Sequence, residues 1–211
     1  MPSTLREFAH RRTRTPTGSA QRCDLCSDEL ADQHRHVLNT ETGALSCACP
    51  ACGVLFDHHA AGGGHYRLIR SRPRLLAEFE LDDVQWASFG IPVGLAFFVH
   101  RDADDRVTAF YPNPVGTMRS DVDADSWRRL VAANPRLSAM DSDVEALLID
   151  RLHDVTSAWL LPLDECYRLV ALLRTHWRGF SGGSEVWRQV DEYFARLREG
   201  GSRGGTHDRS R

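Results

Sequence analysis

Five of the six cysteines of this chain fall between positions 23 and 52, and their spacing constrains the fold more than anything else in the sequence. They read Cys23-Asp-Leu-Cys26 and, after a short intervening segment, Cys47-Ala-Cys49-Pro-Ala-Cys52-Gly53. A Cys-x-x-Cys pair spans one tight turn and aims two sulfurs at one point. Two such pairs, brought together by folding the segment between them, supply the four thiolates of a tetrahedral metal site. Cys23, Cys26, Cys49 and Cys52 make the two matched pairs and are the expected ligands.

Zinc is the expected ion. Cys-Pro-x-Cys-Gly is also the second knuckle of rubredoxin-like iron sites. The first knuckle here lacks the glycine expected after it in rubredoxins, and the segment is poor in aromatic residues, so iron is the lesser alternative. Cys47, two positions before Cys49, reads most simply as a spare thiol facing away. A replacement ligand and a redox-sensitive sulfur are the other readings. His34, His36, His58, His59 and His65 crowd the same region. A second site is conceivable, but the simplest reading leaves these histidines in solvent, with His58-His59 and the following Ala-Ala-Gly-Gly-Gly forming a polar loop.

Between the cysteine pairs, Val37-Leu38, the turn signal Thr40-Glu41-Thr42-Gly43 and Ala44-Leu45-Ser46 predict a β-hairpin with one knuckle at each end, the build of a zinc ribbon. Gly53 is expected in the left-handed conformation after the second knuckle. So few apolar residues cannot hold such a module by burial, so its folding should depend on metal.

The rest of the chain has the length for one further core: the whole is 211 residues, 42% hydrophobic and 26% charged. Residues 1–20 are polar and arginine-rich and are expected to be a disordered arm. Residues 21–61 are the metal module, 66–199 an α+β domain, and 200–211 a disordered glycine-rich tail. Residues 1–22 carry five arginines against Glu7, and the tail three against Asp208. With a net charge of −3, about −9 falls on the body between them. An acidic body argues against a nucleic-acid surface; the remaining nucleic-acid reading is a regulator using the ribbon and the basic arm. The pair Arg11-Arg12 is followed by no apolar stretch, and no apolar run reaches spanning length, so neither a signal peptide nor a membrane anchor is expected. That places the chain in the cytoplasm, where clustered cysteines hold metal more often than they form disulfides.

In the larger domain, Tyr66–Ile69, Leu95–Val99 and Val107–Tyr111 read as strands, with Asp102–Asp105 as the hairpin turn between the last two and Pro112-Asn-Pro114 as a stop. Asp125 is the expected cap of a helix through Val131. Val144–Ile149 and Ala158–Leu161 read as strands, although the first has the composition of a helix as well. Apolar residues recur at three- and four-residue steps through 164–178 and 184–198, predicting two amphipathic helices with Asp164 and Ser184 as caps. The expected fold is α+β: the ribbon followed by an antiparallel sheet of about four strands covered by these two helices. Cys166 lies on a helix stripe and is read as a core residue.

No catalytic constellation is evident, and no catalytic residue is assigned. Gly179-Phe-Ser181-Gly182-Gly183 matches the Gly-x-Ser-x-Gly of hydrolase nucleophile elbows, but that motif needs a strand running into the turn, and here a helix does. His153-Asp154 and Asp164-Glu165 are read as surface or capping groups.

Several stretches together resemble a family of actinobacterial proteins with no established activity. They are His34-Arg-His36-Val-Leu, Cys47-Ala-Cys49-x-x-Cys52 before Leu55-Phe56, Ile91-Pro-Val-Gly-Leu-Ala-Phe-Phe98, Tyr111-Pro-Asn-Pro114, Val144-Glu-Ala-Leu-Leu148, Cys166-Tyr-Arg-Leu-Val170 and His176-Trp-Arg-Gly-Phe-Ser-Gly-Gly183. Genes of that family are often found beside those of [NiFe]-hydrogenases. The resemblance implies an accessory role in making or running that enzyme, a hydrogenase subunit or maturation factor as protein partner, and a role for the third cysteine, Cys47. The reading reached here is a non-enzymatic zinc-binding accessory or assembly factor.

Overall fold

A computed structural model describes residues 21–56, 64–70, 72–114, 116–179 and 181–202. The expected disordered arm, the His58-His59 loop and most of the glycine linker lie outside the described residues. Contacts divide the chain into two compact units, meeting between Arg70 and Ser71.

The first unit is built on a three-stranded antiparallel sheet. Strands β1 (Arg35–Asn39) and β2 (Leu45–Ala48) form the hairpin expected between the cysteine pairs. Its turn is held by Asn39, whose side-chain oxygen accepts from the amides of Glu41 and Thr42 at 3.0 Å each, while Gly43 takes the left-handed conformation (φ 70°) that closes it. Helix α1 (Pro50–Leu55) follows directly. The third strand, β3 (Tyr66–Ile69), was expected to open the larger domain. It pairs instead with β1, Val37 opposite Leu68, so the ribbon's sheet extends past the glycine linker. Val37, Ala48 and Leu68 form the small apolar centre of this sheet, with Cys52, Phe56 and Tyr66 against them.

The second unit is an antiparallel sheet of six strands, not four. Its members are β4 (Arg74–Leu75), β5 (Leu95–Arg101), β6 (Arg106–Asn113), β7 (Gly116–Asp121), β8 (Glu145–Asp150) and β9 (Ser157–Pro162), in the order β4-β9-β8-β5-β6-β7. Every residue of β8 is buried, as befits a central strand covered on both faces; the run 144–149 is therefore strand and not helix. On one face, Phe98, Ala109, Leu147, Ile149 and Leu160 pack with Trp86, Leu130 and Leu137 from helices α2 (Asp83–Ser88) and α3 (Ala124–Ala133) and a 3-10 turn (Pro135–Ala139), and with Phe89 just after α2. The other face meets the two expected helices, α4 (Leu163–His176) and α5 (Gly183–Ser202). The α+β architecture with carboxy-terminal amphipathic helices thus stands, with an extra helical layer.

Several local expectations need correction. Pro112 does not stop β6: the ladder to β5 ends at Phe110, so the missing proline amide removes no bond there, and Pro112 pairs onward with Thr117 of β7. The cap of α3 is Asp123, whose carboxylate accepts from the Ser126 amide at 2.9 Å; Asp125 sits inside the first turn. Helix α4 starts one residue before Asp164 and has no side-chain cap. Helix α5 starts before Ser184 and runs through Ser202, into the stretch expected to be tail. Gly53 lies within α1 and is not left-handed. It is small because a Cβ there would stand 2.9 Å from Cδ of Arg35.

Candidate metal centre

The first knuckle is a turn in which the Cys23 carbonyl accepts from the Ser27 amide at 2.8 Å, with Ser27 in the left-handed region (φ 66°). An antiparallel bridge between Arg22 and Glu29 closes its base. The second knuckle is a helix start. Cys49 caps α1, its sulfur accepting from the Cys52 amide at 3.5 Å, and Pro50 occupies the first turn, where its missing amide costs nothing. The two knuckles interlock: the Cys49 amide donates to the Cys23 sulfur at 3.3 Å, and the Cys26 and Cys49 sulfurs lie 3.6 Å apart. Asp24 ties the first knuckle to β2, its carboxylate accepting from the Cys47 amide at 2.8 Å.

Cys23, Cys26, Cys49 and Cys52 therefore stand together, their sulfurs all within 4.8 Å of one another. Such a cluster of four thiols fits a zinc ion. Cys23 and Cys49 are buried, Cys52 is half-buried and Cys26 exposed, so the site has a sealed and an open side. Its electrostatics favour a cation. Burial acts to raise the Cys23 thiol, but hydrogen bonds from the amides of Cys49, Leu25 and Cys26 outweigh it and bring it down to about 6. Burial and the neighbouring thiols push Cys52 up to about 12. Once one sulfur ionises, its neighbours resist doing so, and a dication relieves that repulsion.

Cys47 is not part of this group. In the β1–β2 register it stands opposite His36, and its sulfur and one ring nitrogen each of His34 and His36 also lie within 4.8 Å of one another. All three residues are half-buried, so the expectation of solvent-exposed histidines fails for His34 and His36. It holds for His65, which pairs with Glu41 at 3.1 Å on the surface. The missed signal was present in the sequence. Positions 34 and 36 share a face at strand spacing, and the hairpin then places Cys47 across from them.

The second unit holds one arrangement that the sequence did not reveal. Ser142 Oγ lies 2.9 Å from His100 Nδ1, and His100 Nε2 lies 2.8 Å from Asp105 Oδ1. The side chain of Asp105 is 94% exposed, whereas a carboxylate that orients a catalytic histidine is buried. The chain of contacts instead braces the β5–β6 turn. The glycines after α4 serve a helix–helix turn, as expected: Arg178 bridges to Gly182, and the indole of Trp187 donates to the Ser181 carbonyl at 3.0 Å. Cys166 is fully buried in α4, where desolvation holds its thiol well above the ordinary range, which suits a core residue.

Among the described residues, no helix is long and apolar enough to cross a membrane. The family model described as "Family of unknown function (DUF5947)" matches residues 22–201. No curated protein and no solved structure matches the chain.

Proposed function

Since the chain belongs to that family of unknown function, its role has to be read from its own residues, and we propose that it is a zinc-binding accessory factor acting on a protein partner, without catalysis of its own. The observation that carries this reading is the four-cysteine cluster on interlocked knuckles. A site whose four ligands all come from the protein leaves the ion no open position for substrate, so the metal builds shape. The shape it builds carries apolar groups at its surface. Leu25 of the first knuckle is 37% exposed, and Val54 and Leu55 of α1 are 63% and 62% exposed. Exposed apolar residues on a metal-stiffened scaffold suit contact with another protein.

The partner is a [NiFe]-hydrogenase subunit or one of its maturation factors, met in the cytoplasm. This part of the proposal is supported by the sequence resemblance, not by the geometry of the site. Affinity capture of the tagged chain from cells that also make the hydrogenase should recover a hydrogenase subunit or maturation factor. Val54→Asp should reduce that recovery at least tenfold while leaving bound zinc unchanged. Recovery of no hydrogenase-related protein would contradict the proposed partner.

A further inference from the structure

We propose that His34, His36 and Cys47 form a second metal site, separate from the four-cysteine cluster, that binds a zinc-like divalent ion through three protein ligands and leaves one coordination position open. The argument starts from His34. Its Nδ1 lies 3.0 Å from the carbonyl oxygen of Ala31. A carbonyl only accepts, so Nδ1 carries the proton and Nε2 presents a lone pair. That Nε2 is buried and has no hydrogen-bond partner.

A sequestered lone pair without a donor is unusual in a folded protein, and the groups around this one are donors to a metal. His36 is the neighbouring ring, 4.9 Å away between centroids and tilted by 58°. Cys47 faces His36 across the hairpin. The three ligand atoms lie within 4.8 Å of one another, a span that one ion bonding at about 2.0–2.3 Å can close with small side-chain movements. The Nδ1 contact of His34 is the outer-shell bond that fixes the tautomer and ring of a metal-bound histidine.

The surroundings hold the sulfur in place. The Cys47 amide is anchored to Asp24 and the Cys47 carbonyl accepts from the Asp24 amide, at 2.8 and 2.9 Å. The Gln21 side-chain amide lies 3.5 Å from the sulfur as a donor. Two imidazoles and one thiolate suit zinc and its borderline neighbours in preference to calcium or magnesium. With three protein ligands the ion keeps a position for water or for a donor from a partner, unlike the closed four-cysteine site.

The test uses the full chain, prepared under reducing conditions, saturated with Zn²⁺ and freed of excess. Native mass spectrometry should count two zinc ions per chain, and one in His34→Ala and in Cys47→Ser. Titration of the metal-free wild-type chain with Co²⁺ reads the same site without a substitution. The first equivalent should give the intense sulfur-to-cobalt absorption of four thiolates. The second should add a weaker band of single-thiolate character that Cys47→Ser lacks. One zinc per saturated chain, a count of two that neither substitution lowers, or a second cobalt equivalent without any sulfur-to-cobalt band would each overturn the second site. None of these results bears on the four-cysteine cluster, which is read from the first equivalent.

Discussion

The four knuckle cysteines are not equivalent, and the difference lies in what each sulfur does besides face the ion. Cys49 is buried, receives the Cys52 amide and caps α1, whereas Cys26 is exposed at the edge of the cluster. Cys49→Ala and Cys26→Ala should both lose tight zinc. Cys49→Ala should melt at the lower temperature, since it also removes the acceptor that caps a helix start, and equal melting temperatures for the two would argue against that division. Asp150 offers a test independent of metal. Burial raises its carboxyl above the ordinary range, and the backbone hydrogen bond from Leu152 only partly offsets this. A raised folded-state pKa means the stabilising contribution is complete below the unfolded value, about pH 4, and is lost as pH rises through the folded value. Asp150→Asn keeps an oxygen for the Leu152 amide and never charges. It should therefore melt higher than wild type at pH 7, with the gap closing towards pH 4; a variant less stable at pH 7 would contradict this. At this scale the ligating cysteines were readable because their spacing is itself the chemistry. The grouping of His34, His36 and Cys47 left a fainter signal, the strand spacing of the two histidines, which points to Cys47 only once the β1–β2 register sets His36 opposite it.

Elements were legible where one periodicity governs a long stretch. Helix α5 is such a case: Val186, Val190, Phe194 and Leu197 are all buried, while Glu185, Arg188 and Glu192 pair with one another on the exposed face. Phe194→Ala should cost about 3–5 kcal/mol in a denaturant unfolding experiment, and Arg188→Ala should leave the midpoint within error. Comparable losses for the two would mean that the stripe does not face the sheet. What escaped the sequence was short or edge structure. Strand β7, reading Gly-Thr-Met-Arg-Ser-Asp, has no apolar alternation because none of its residues is buried. It exists because β6 continues past Phe110 and offers it a ladder. Strand β4 has two residues, too few to leave a pattern. Helix α3 was expected but its role as a cover was not, and α2, with six residues, carries little more than one turn of stripe; only the complete burial of β8 shows that a second cover is required.

The molecule as a whole divides into two units held by different means. The unit after Arg70 buries a large apolar core against its six-stranded sheet, whose strand β8 is covered on both faces. Among the described residues, the unit before it has two small clusters, one of which consists largely of cysteines, and burial on that scale does not hold a sheet unaided. Metal removal should therefore act on one unit and spare the other. The most direct measurement is hydrogen exchange followed by mass spectrometry on the zinc-loaded chain and on the same chain after chelation, with metal analysis confirming that the second sample is empty. We expect the amides of β1 and β2, Arg35 to Ala48, to lose their protection on chelation, while those of β5 and β8 keep theirs. Unchanged protection across Arg35 to Ala48 in a chain shown to hold no metal would contradict the claim that four sulfurs around one ion give this segment its shape.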